Sequence, residues 1–445
     1  MNHKLVRSTV KLLQLDKLQA GNDLERTWLC FGASVLFFPF FPAAGALGFI
    51  ITLWVIWRAK YRSILQAPGN QILMVLTGVL ILSSTLAANS AEAWLGLANF
   101  VPYFALFMAI RCLVTQPQQL KQLSWLIISP SLPLVLLGWG QILLAWDTPP
   151  IVKSILGWEL VPLGVPPGRM SAVFNYTNFL AIYLTIAFIL TIGLWLSAWQ
   201  RRTINYQLLI WLTLIWLADL SGLIATSSRN AWALALLGLV AYALYLGWRW
   251  IVWSITGVAI AILWASFLPQ AGGTHLRRVV PSFVWMRLSD RAYDRPVETL
   301  RLTQWQFCWD LIQDRPFFGW GLRNFTPLYE ARYDLWLGHP HNFFLMFGAE
   351  AGSFALTVLL IFILRLLMPA IELLGHWRDR ESKTIFFSYL LAFSGCILFN
   401  LADVTIFDLR VNTLIWILLA AISGVTTAQA SNLKTTSQSQ VEQIF

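Results

Sequence analysis

The sequence predicts an all-α integral membrane protein with about twelve transmembrane helices. Of its 445 residues, 58% are hydrophobic and only 12% are charged, which is roughly half the charged fraction of a soluble domain. The apolar residues form long runs instead of recurring on one helix face, and such runs indicate helices surrounded by lipid. The net charge of +10 is spread over short loops without a nucleic-acid-binding module, so we expect anionic lipids and anionic substrates as partners, not nucleic acid.

The apolar runs divide into twelve predicted spans, which together form a membrane domain of residues 27–427. Their approximate limits are 27–41, 43–57, 71–88, 93–111, 123–146, 177–198, 206–226, 230–248, 250–269, 343–366, 385–402 and 411–427. The first two spans are short and are separated only by the sequence PFFPAAG. They are therefore either two spans or one broken helix, and a single broken helix would reverse the orientation of every later span.

The basic residues of the loops predict which ends of the spans face the cytoplasm. One set of loops carries RAKYR at 58–62, Arg111 with Lys121, Arg201 with Arg202, Arg249, and HWRDRESK at 376–383. The short loops of the other side carry only Lys153, Arg169, Arg229 and Arg410. Because cytoplasmic loops are enriched in lysine and arginine, we expect both chain ends to be cytoplasmic. These ends are the segment 1–26 and the polar tail 428–445, which is predicted to be disordered.

Two long segments are predicted on the periplasmic side, at about 147–176 and 270–342. The second is large, partly helical and lies between spans nine and ten. It contains RPVETLRLTQWQFCWDLIQDRP, which predicts an amphipathic helix ending at Asp314. We expect its apolar side to face the membrane helices or lipid headgroups. That side comprises Leu300, Trp305, Cys308, Trp309 and Ile312.

Several polar residues of the outer side fall at predicted helix starts. Arg169 precedes span six, Arg229 begins span eight, and His341 with Asn342 begins span ten. A helix N-terminus carries partial positive charge, so an arginine there is unfavourable unless an anion compensates it. Arginine together with a helix N-terminus favours phosphate binding. Arg301, in the large loop, is a further candidate; the alternative for each arginine is contact with lipid headgroups.

His341 is the best general-base candidate in this group, because an unperturbed imidazole has a pKa of about 6.5 and is largely neutral at pH 7. His339 fits the role of a turn residue better. Asn175 and Asn178 either cap span six or orient a ligand. Glu350 lies two turns inside span ten, where an acid needs an arginine partner or a wet cavity.

Three further acids in or near the predicted spans also need a partner. Asp219 lies inside span seven, and Asp403 and Asp408 lie near the outer ends of spans eleven and twelve, where they could pair with loop arginines. The four cysteines show neither a disulfide framework nor metal-ligand spacing, so no metal site is predicted.

Four stretches of the chain resemble the O-antigen ligase-like superfamily. They are GRMSAVFNYTNFLA, TSSRNAW, LRLTQWQFCWDLIQDRPFFGWGLRNF and HPHNFFLMFGAEAG. The superfamily includes ligases that join lipid-linked glycans to an acceptor, Wzy-type polymerases, and a branch linked to inorganic-carbon uptake. Two departures blur the subgroup: Tyr176 and Thr177 replace the usual proline between the asparagines, and Asn230 replaces the usual glycine after Arg229.

The resemblance implies a GT-C-like glycosyltransferase architecture and a metal-independent, inverting transfer from an undecaprenyl-pyrophosphate-linked donor at the periplasmic face of the inner membrane. It implies no cofactor, and a glycan or lipid as acceptor. On this basis His341 would accept the acceptor's proton, and Arg169 and Arg229 would stabilise the leaving pyrophosphate. Further substrate-binding roles would fall to Arg301, Asn342, His339, Asn175, Asn178 and Glu350.

Three other functions remain compatible with the sequence. A polymerase differs from a ligase only in using a second lipid-linked glycan as acceptor. A transporter of bicarbonate or another anion would place its polar residues near the bilayer midplane, often on broken helices in repeated halves, and Asp219 and Glu350 keep this alternative open. A structural role as an assembly scaffold is the third alternative, but it would not explain the arginines at the outer ends of the helices.

Overall fold

A computed structural model describes residues 24–289, 296–377 and 379–442, with side chains as far as residue 431. The described part of the chain forms nineteen α-helices and contains no β-strand. In chain order the helices are α1 (24–37), α2 (Pro42–Gln66), α3 (Pro68–Thr85), α4 (Ser90–Gly96), α5 (Val101–Leu113), α6 (Pro117–Ile128), α7 (Ser131–Leu143), α8 (Pro150–Leu156), α9 (Thr177–Trp199), α10 (Tyr206–Thr226), α11 (Arg229–Tyr245), α12 (Arg249–Phe267), α13 (Gly273–Leu276), α14 (Ser282–Ser289), α15 (Arg301–Asp314), α16 (Phe325–Tyr333), α17 (Phe343–His376), α18 (Arg380–Asn400) and α19 (Leu409–Glu442).

Ten of the described helical segments are long and apolar enough to cross a membrane. Two of them combine shorter helices: α4 with α5, and α6 with α7. The prediction of an all-α, multi-pass membrane protein is therefore confirmed. The count of twelve spans stays a prediction, because α1 and the 17-residue α11 fall outside those ten.

The structure decides an open question at the start of the chain and corrects a prediction at its end. Of the two alternatives for the first two spans, it has two separate helices, because α1 ends at residue 37 and α2 begins at Pro42. At the other end, α19 continues to Glu442, through most of the tail that was predicted to be disordered. That tail contains no glycine or proline to end the helix. The predicted N-terminal segment lies mostly outside the described residues.

Helix α9 is the centre of the bundle. It is apolar on all sides, and 83% of its most hydrophobic window is buried inside the protein, against 11% for the peripheral α12. A helix that is hydrophobic all round needs neighbours or lipid on every face. Four helices surround α9, namely α6, α10, α11 and α18. Residues at the N-terminal end of α9 are therefore held in place by the core of the bundle.

Helices α15 and α16 form a small cap over the start of α17. The buried face of α15 comprises Phe307, Cys308 and Leu311, which pack with residues of α16 and α17. Of the predicted apolar side, Cys308 packs in this way, whereas Leu300 and Trp309 are 42% and 50% exposed, so for these two a contact with lipid headgroups stays a prediction. The neighbouring helices, which the sequence of α15 alone does not reveal, select the buried face.

The cap is joined to α17 where that helix is interrupted at Gly352. Gly352 has φ +88°, and a Cβ atom there would overlap the carbonyl oxygen of Phe317. The backbone N–H of Ser353 donates to the carbonyl of Pro316 at 2.7 Å, and that of Gly321 donates to the carbonyl of Glu350 at 2.8 Å. The glycine-bearing turn and the Glu-x-Gly element of the sequence thus serve to fasten the cap to the membrane helices.

Candidate active site

A polar pocket of about 120 Å³ lies where α9, α11, α15 and α17 begin. The pocket brings together five of the predicted site residues: Arg169, Asn178, Arg229, Arg301 and His341. They come from segments that are far apart in the chain. The remaining lining residues are Tyr176, Ser228, Asn230, Arg287 and Thr299.

The pocket concentrates positive charge from two sources. Tyr176 precedes α9, Arg229 and Arg301 are the first residues of α11 and α15, and His341 lies just before α17. Each helix start adds the positive end of a helix dipole to the arginine side chains. Such an arrangement favours an anion with several oxygen atoms, such as a phosphate or a pyrophosphate.

Arg169 is fixed in place before any ligand binds. Its Nε atom donates to the carbonyl of Thr226 at 2.9 Å, and its Nη2 atom donates to Oδ1 of Asn178 at 3.1 Å. Burial lowers the pKa of Arg169 to about 10, and the charge of nearby Arg287 acts in the same direction. The guanidinium is still charged at neutral pH, and burial strengthens its interaction with an anion.

His341 is paired with Asp403, which lies in the loop between α18 and α19. The Nδ1 atom of His341 is 3.2 Å from Oδ1 of Asp403, whose side chain is only 4% exposed. Asn178 donates to the other carboxylate oxygen, and the backbone N–H of Val404 donates to Oδ1 at 2.9 Å. Burial raises the pKa of Asp403, but the hydrogen bond with His341 and the charges of His339 and His341 together bring it below its ordinary value.

This pairing selects the tautomer of His341. An ionised Asp403 accepts a hydrogen bond, so the ring proton is assigned to Nδ1. The Nε2 atom then carries the lone pair that can accept a proton. A histidine oriented by a buried carboxylate is the usual arrangement of a general base in an enzyme.

The backbone around His341 is also unusual. His341 has φ +53°, in the left-handed region that few residues other than glycine adopt. Its N–H donates to Nδ1 of His339 at 3.2 Å, and Nε1 of Trp305 donates to the carbonyl of Pro340 at 3.0 Å. Because α15 carries both Trp305 and Arg301, it positions the histidine turn and supplies an arginine to the same pocket.

Asn178 lines the pocket and holds Arg169 and Asp403, whereas Asn342, Asn175, Glu350 and His339 lie outside the lining. Asn342 caps α17 by accepting the N–H of Leu345 at 3.0 Å. Asn175 is exposed. Glu350 is buried beneath the cap, and its Oε1 atom accepts the N–H of Phe325, the first residue of α16, at 3.0 Å. The sequence had called for an arginine partner or a wet cavity; the charge of Arg323 acts on this acid, but its hydrogen bond is with the backbone at a helix start.

His339 lies behind His341, with its Nε2 atom 3.9 Å from Oδ1 of Asp403. Burial lowers the pKa of His339 to about 4, and although Asp403 opposes this shift, the charges of His341 and Arg301 reinforce it. His339, His341 and Asp403 also form a group of three that could hold a metal ion, with ligand atoms within 4.8 Å of one another. The sequence had predicted no metal site, because Asp403 is distant from the histidines in the chain.

Asp403 and Arg287 are the main residues that the sequence-based hypothesis missed. It considered Asp403 only as a partner of loop arginines. That description fits Asp408, which contacts Arg410 at 3.0 Å, but Asp403 pairs with His341. The sequence did contain one signal for this pair: Asp403 and His341 are both predicted at helix ends on the same side of the membrane. Arg287 was one of many arginines in the large loop, and nothing in its local sequence distinguishes it.

A comparison with known protein families places part of the chain. Residues 212–360 match the family model described as O-antigen ligase, and the match includes Arg229, Arg301 and His341. No significant match to a curated protein is found. The chain is thus a multi-pass membrane protein whose resemblance to the O-antigen ligase-like superfamily is confirmed over residues 212–360.

Proposed function

We propose that the protein is a membrane glycosyltransferase of the O-antigen ligase type. It transfers a glycan from an undecaprenyl-pyrophosphate-linked donor to the hydroxyl of an acceptor at the periplasmic face of the inner membrane. The observation that carries the proposal is the convergence of Arg169, Arg229, Arg287 and Arg301 with His341 in one pocket. An anion-binding group and a general base are the two elements that such a transfer needs without a metal.

The proposed reaction is a direct displacement. The Nε2 atom of His341 accepts the proton of the acceptor hydroxyl as its oxygen forms a bond to the anomeric carbon of the donor sugar. On the opposite face of that carbon, the bond to the pyrophosphate oxygen breaks, and the electron pair leaves with the pyrophosphate. The configuration of the sugar is therefore inverted.

The arginines lower the energy of the leaving group. Negative charge increases on the bridging oxygen as the bond breaks, and preorganised donors stabilise the transition state more than the ground state. Arg169 is suited to this role because Thr226 and Asn178 already hold it in place. Asp403 keeps His341 in the basic tautomer and stabilises the imidazolium that forms.

The direct test supplies purified protein in nanodiscs with a fluorescent polyprenyl-pyrophosphate glycan, with and without an added acceptor. Transfer to the added acceptor supports the ligase. Growth of the glycan without that acceptor supports the Wzy-type polymerase, for which the same pocket suffices. Anion flux without any transfer would contradict both and favour the transport-related function.

A further inference from the structure

The group formed by His339, His341 and Asp403 has the composition of a transition-metal site. Oδ1 of Asp403 is 3.2 Å from Nδ1 of His341 and 3.9 Å from Nε2 of His339. The two imidazole rings meet edge to face, with centroids 4.5 Å apart. Pro340 and the left-handed backbone at His341 turn these alternate histidines toward the same carboxylate oxygen.

The separations of these atoms are close to those of a coordination shell. Tetrahedral ligands at about 2.0–2.2 Å from an ion lie roughly 3.3–3.6 Å from one another. One distance to Asp403 is slightly shorter than this and the other slightly longer, and all three ligand atoms lie within 4.8 Å of one another, so the side chains would draw together to bind an ion. Asn178 engages the other oxygen of Asp403, as an outer partner commonly does for a ligating carboxylate.

Two imidazoles and one carboxylate favour Zn²⁺ and similar first-row ions over Mg²⁺ or Ca²⁺, which prefer oxygen ligands. We propose that His339, His341 and Asp403 form an inhibitory Zn²⁺ site, and that the ion stops glycan transfer by occupying Nδ1 of His341. This inference rests on the proposed function, in which His341 is the general base. Three protein ligands leave a fourth position for water.

The inhibition follows from the tautomers of imidazole. Zn²⁺ needs the lone pair of Nδ1 of His341, so the proton of that ring must move, through solvent, to Nε2. It also needs the lone pair of Nε2 of His339, so the proton of that ring moves to Nδ1, which gives up the hydrogen bond that it accepts from the N–H of His341. No proton is gained or lost by either neutral ring, but Nε2 of His341 then carries a hydrogen and no longer accepts one from the acceptor hydroxyl. The ion therefore removes the base without contacting the arginines that hold the donor.

The arginines also determine when the ion binds best. Arg169 and Arg301 line the adjacent pocket, and their positive charge weakens the binding of Zn²⁺ nearby. A bound pyrophosphate would offset that charge. We therefore expect Zn²⁺ to bind more tightly to the donor complex than to the free enzyme, and to lower kcat without weakening donor binding.

The site can be tested without turnover by adding Co²⁺ to chelator-treated, full-length protein, because Co²⁺ in such a site absorbs visible light. We expect one Co²⁺ per protein, displaced by Zn²⁺. In a transfer assay, Zn²⁺ should lower turnover while binding of the fluorescent donor is retained, and Mg²⁺ at the same concentration should have no effect.

The variant His339→Gln removes one ligand from outside the pocket lining. We expect it to lose the Co²⁺ absorption and to need at least about tenfold more Zn²⁺ for half inhibition, relative to its own metal-free rate. His376→Gln is the matched control, because His376 lies at the other end of α17, and it should keep wild-type sensitivity.

The metal site is disproved if wild-type protein shows no Co²⁺ absorption, or if Zn²⁺ inhibits His339→Gln as strongly as wild type. The Co²⁺ absorption is measured without the glycan donor, so it does not depend on the proposed transfer reaction. A protein that binds Co²⁺ through His339 but transfers no glycan would therefore contradict the proposed function and not the metal site.

Discussion

Asp403 and Asp219 are both buried aspartates in a largely apolar chain, but their surroundings are opposite. Both carboxylate oxygens of Asp403 are hydrogen-bonded, to His341, Asn178 and the backbone of Val404. Asp219 is fully buried in α10, and neither of its oxygens has a formed hydrogen bond within the described residues. The hydroxyls of Ser131 and Thr191 lie near it without adopting hydrogen-bond geometry.

The difference shows where the protein can support a charge. Helix α10 ends beside the pocket at Thr226. Asp219 lies seven residues before that end, or about 10 Å away along the helix axis. At the pocket end, loops and helix starts supply N–H donors and arginines, whereas deeper in the bundle the backbone is already hydrogen-bonded within helices. A transport function would need the deeper acid, and the proposed transfer needs the one at the pocket end.

The largest effect should come from removing the base at the pocket end. His341→Ala should lower the transfer rate by at least about 100-fold, because no other group would accept the acceptor's proton. Binding of the fluorescent donor should survive, since the arginines are untouched. His376→Ala is the control. A parallel loss of donor binding would mean that His341 is a ligand contact and not a base.

Asp403→Asn tests the comparison directly. The amide can donate a hydrogen bond to Nδ1 and so stabilise the wrong tautomer of His341, and we expect a loss of kcat on the order of 100-fold with donor affinity retained. The same substitution at Asp219 is the matched control. Equal losses at the two positions would mean that Asp403 acts through folding and not through the histidine.

Arg229→Lys should have a smaller effect, of about tenfold in kcat/KM, because an ammonium is a point charge that cannot bind two phosphate oxygens side by side. Arg201→Lys, at the opposite end of the bundle, should leave the rate unchanged. Steady-state kinetics with the lipid-linked donor measure both. Wild-type turnover of Arg229→Lys would contradict a bidentate role for this arginine.

The smallest effect is expected for Asp219→Asn, which keeps the shape of the side chain and is distant from the pocket. The transfer rate should change by less than about twofold. If Asp219→Asn strongly reduced anion flux while His341→Ala left that flux unchanged, Asp219 would be the functional residue and transport would be favoured.

Much of the fold could be predicted from the sequence because lipid imposes a strict condition on the backbone. Helices satisfy their own N–H and C=O groups, so long apolar runs must form them, and the two spans predicted before residue 67 correspond to α1 and α2 for this reason. The same reasoning placed Arg169, Arg229 and His341 at helix starts on one side. It could not select the buried face of α15, which depends on packing against α16 and α17.

The sequence by itself determined the membrane helices, their approximate limits and the clustering of arginines at one end, because hydrophobicity and helix periodicity are local properties. Only the tertiary structure decided that Asp403 orients His341, that Glu350 holds the cap, and that Asn178 links Arg169 to Asp403. The physical reason is that a side-chain hydrogen bond depends on positions within a few tenths of an ångström. Helix packing sets those positions, and sequence spacing does not.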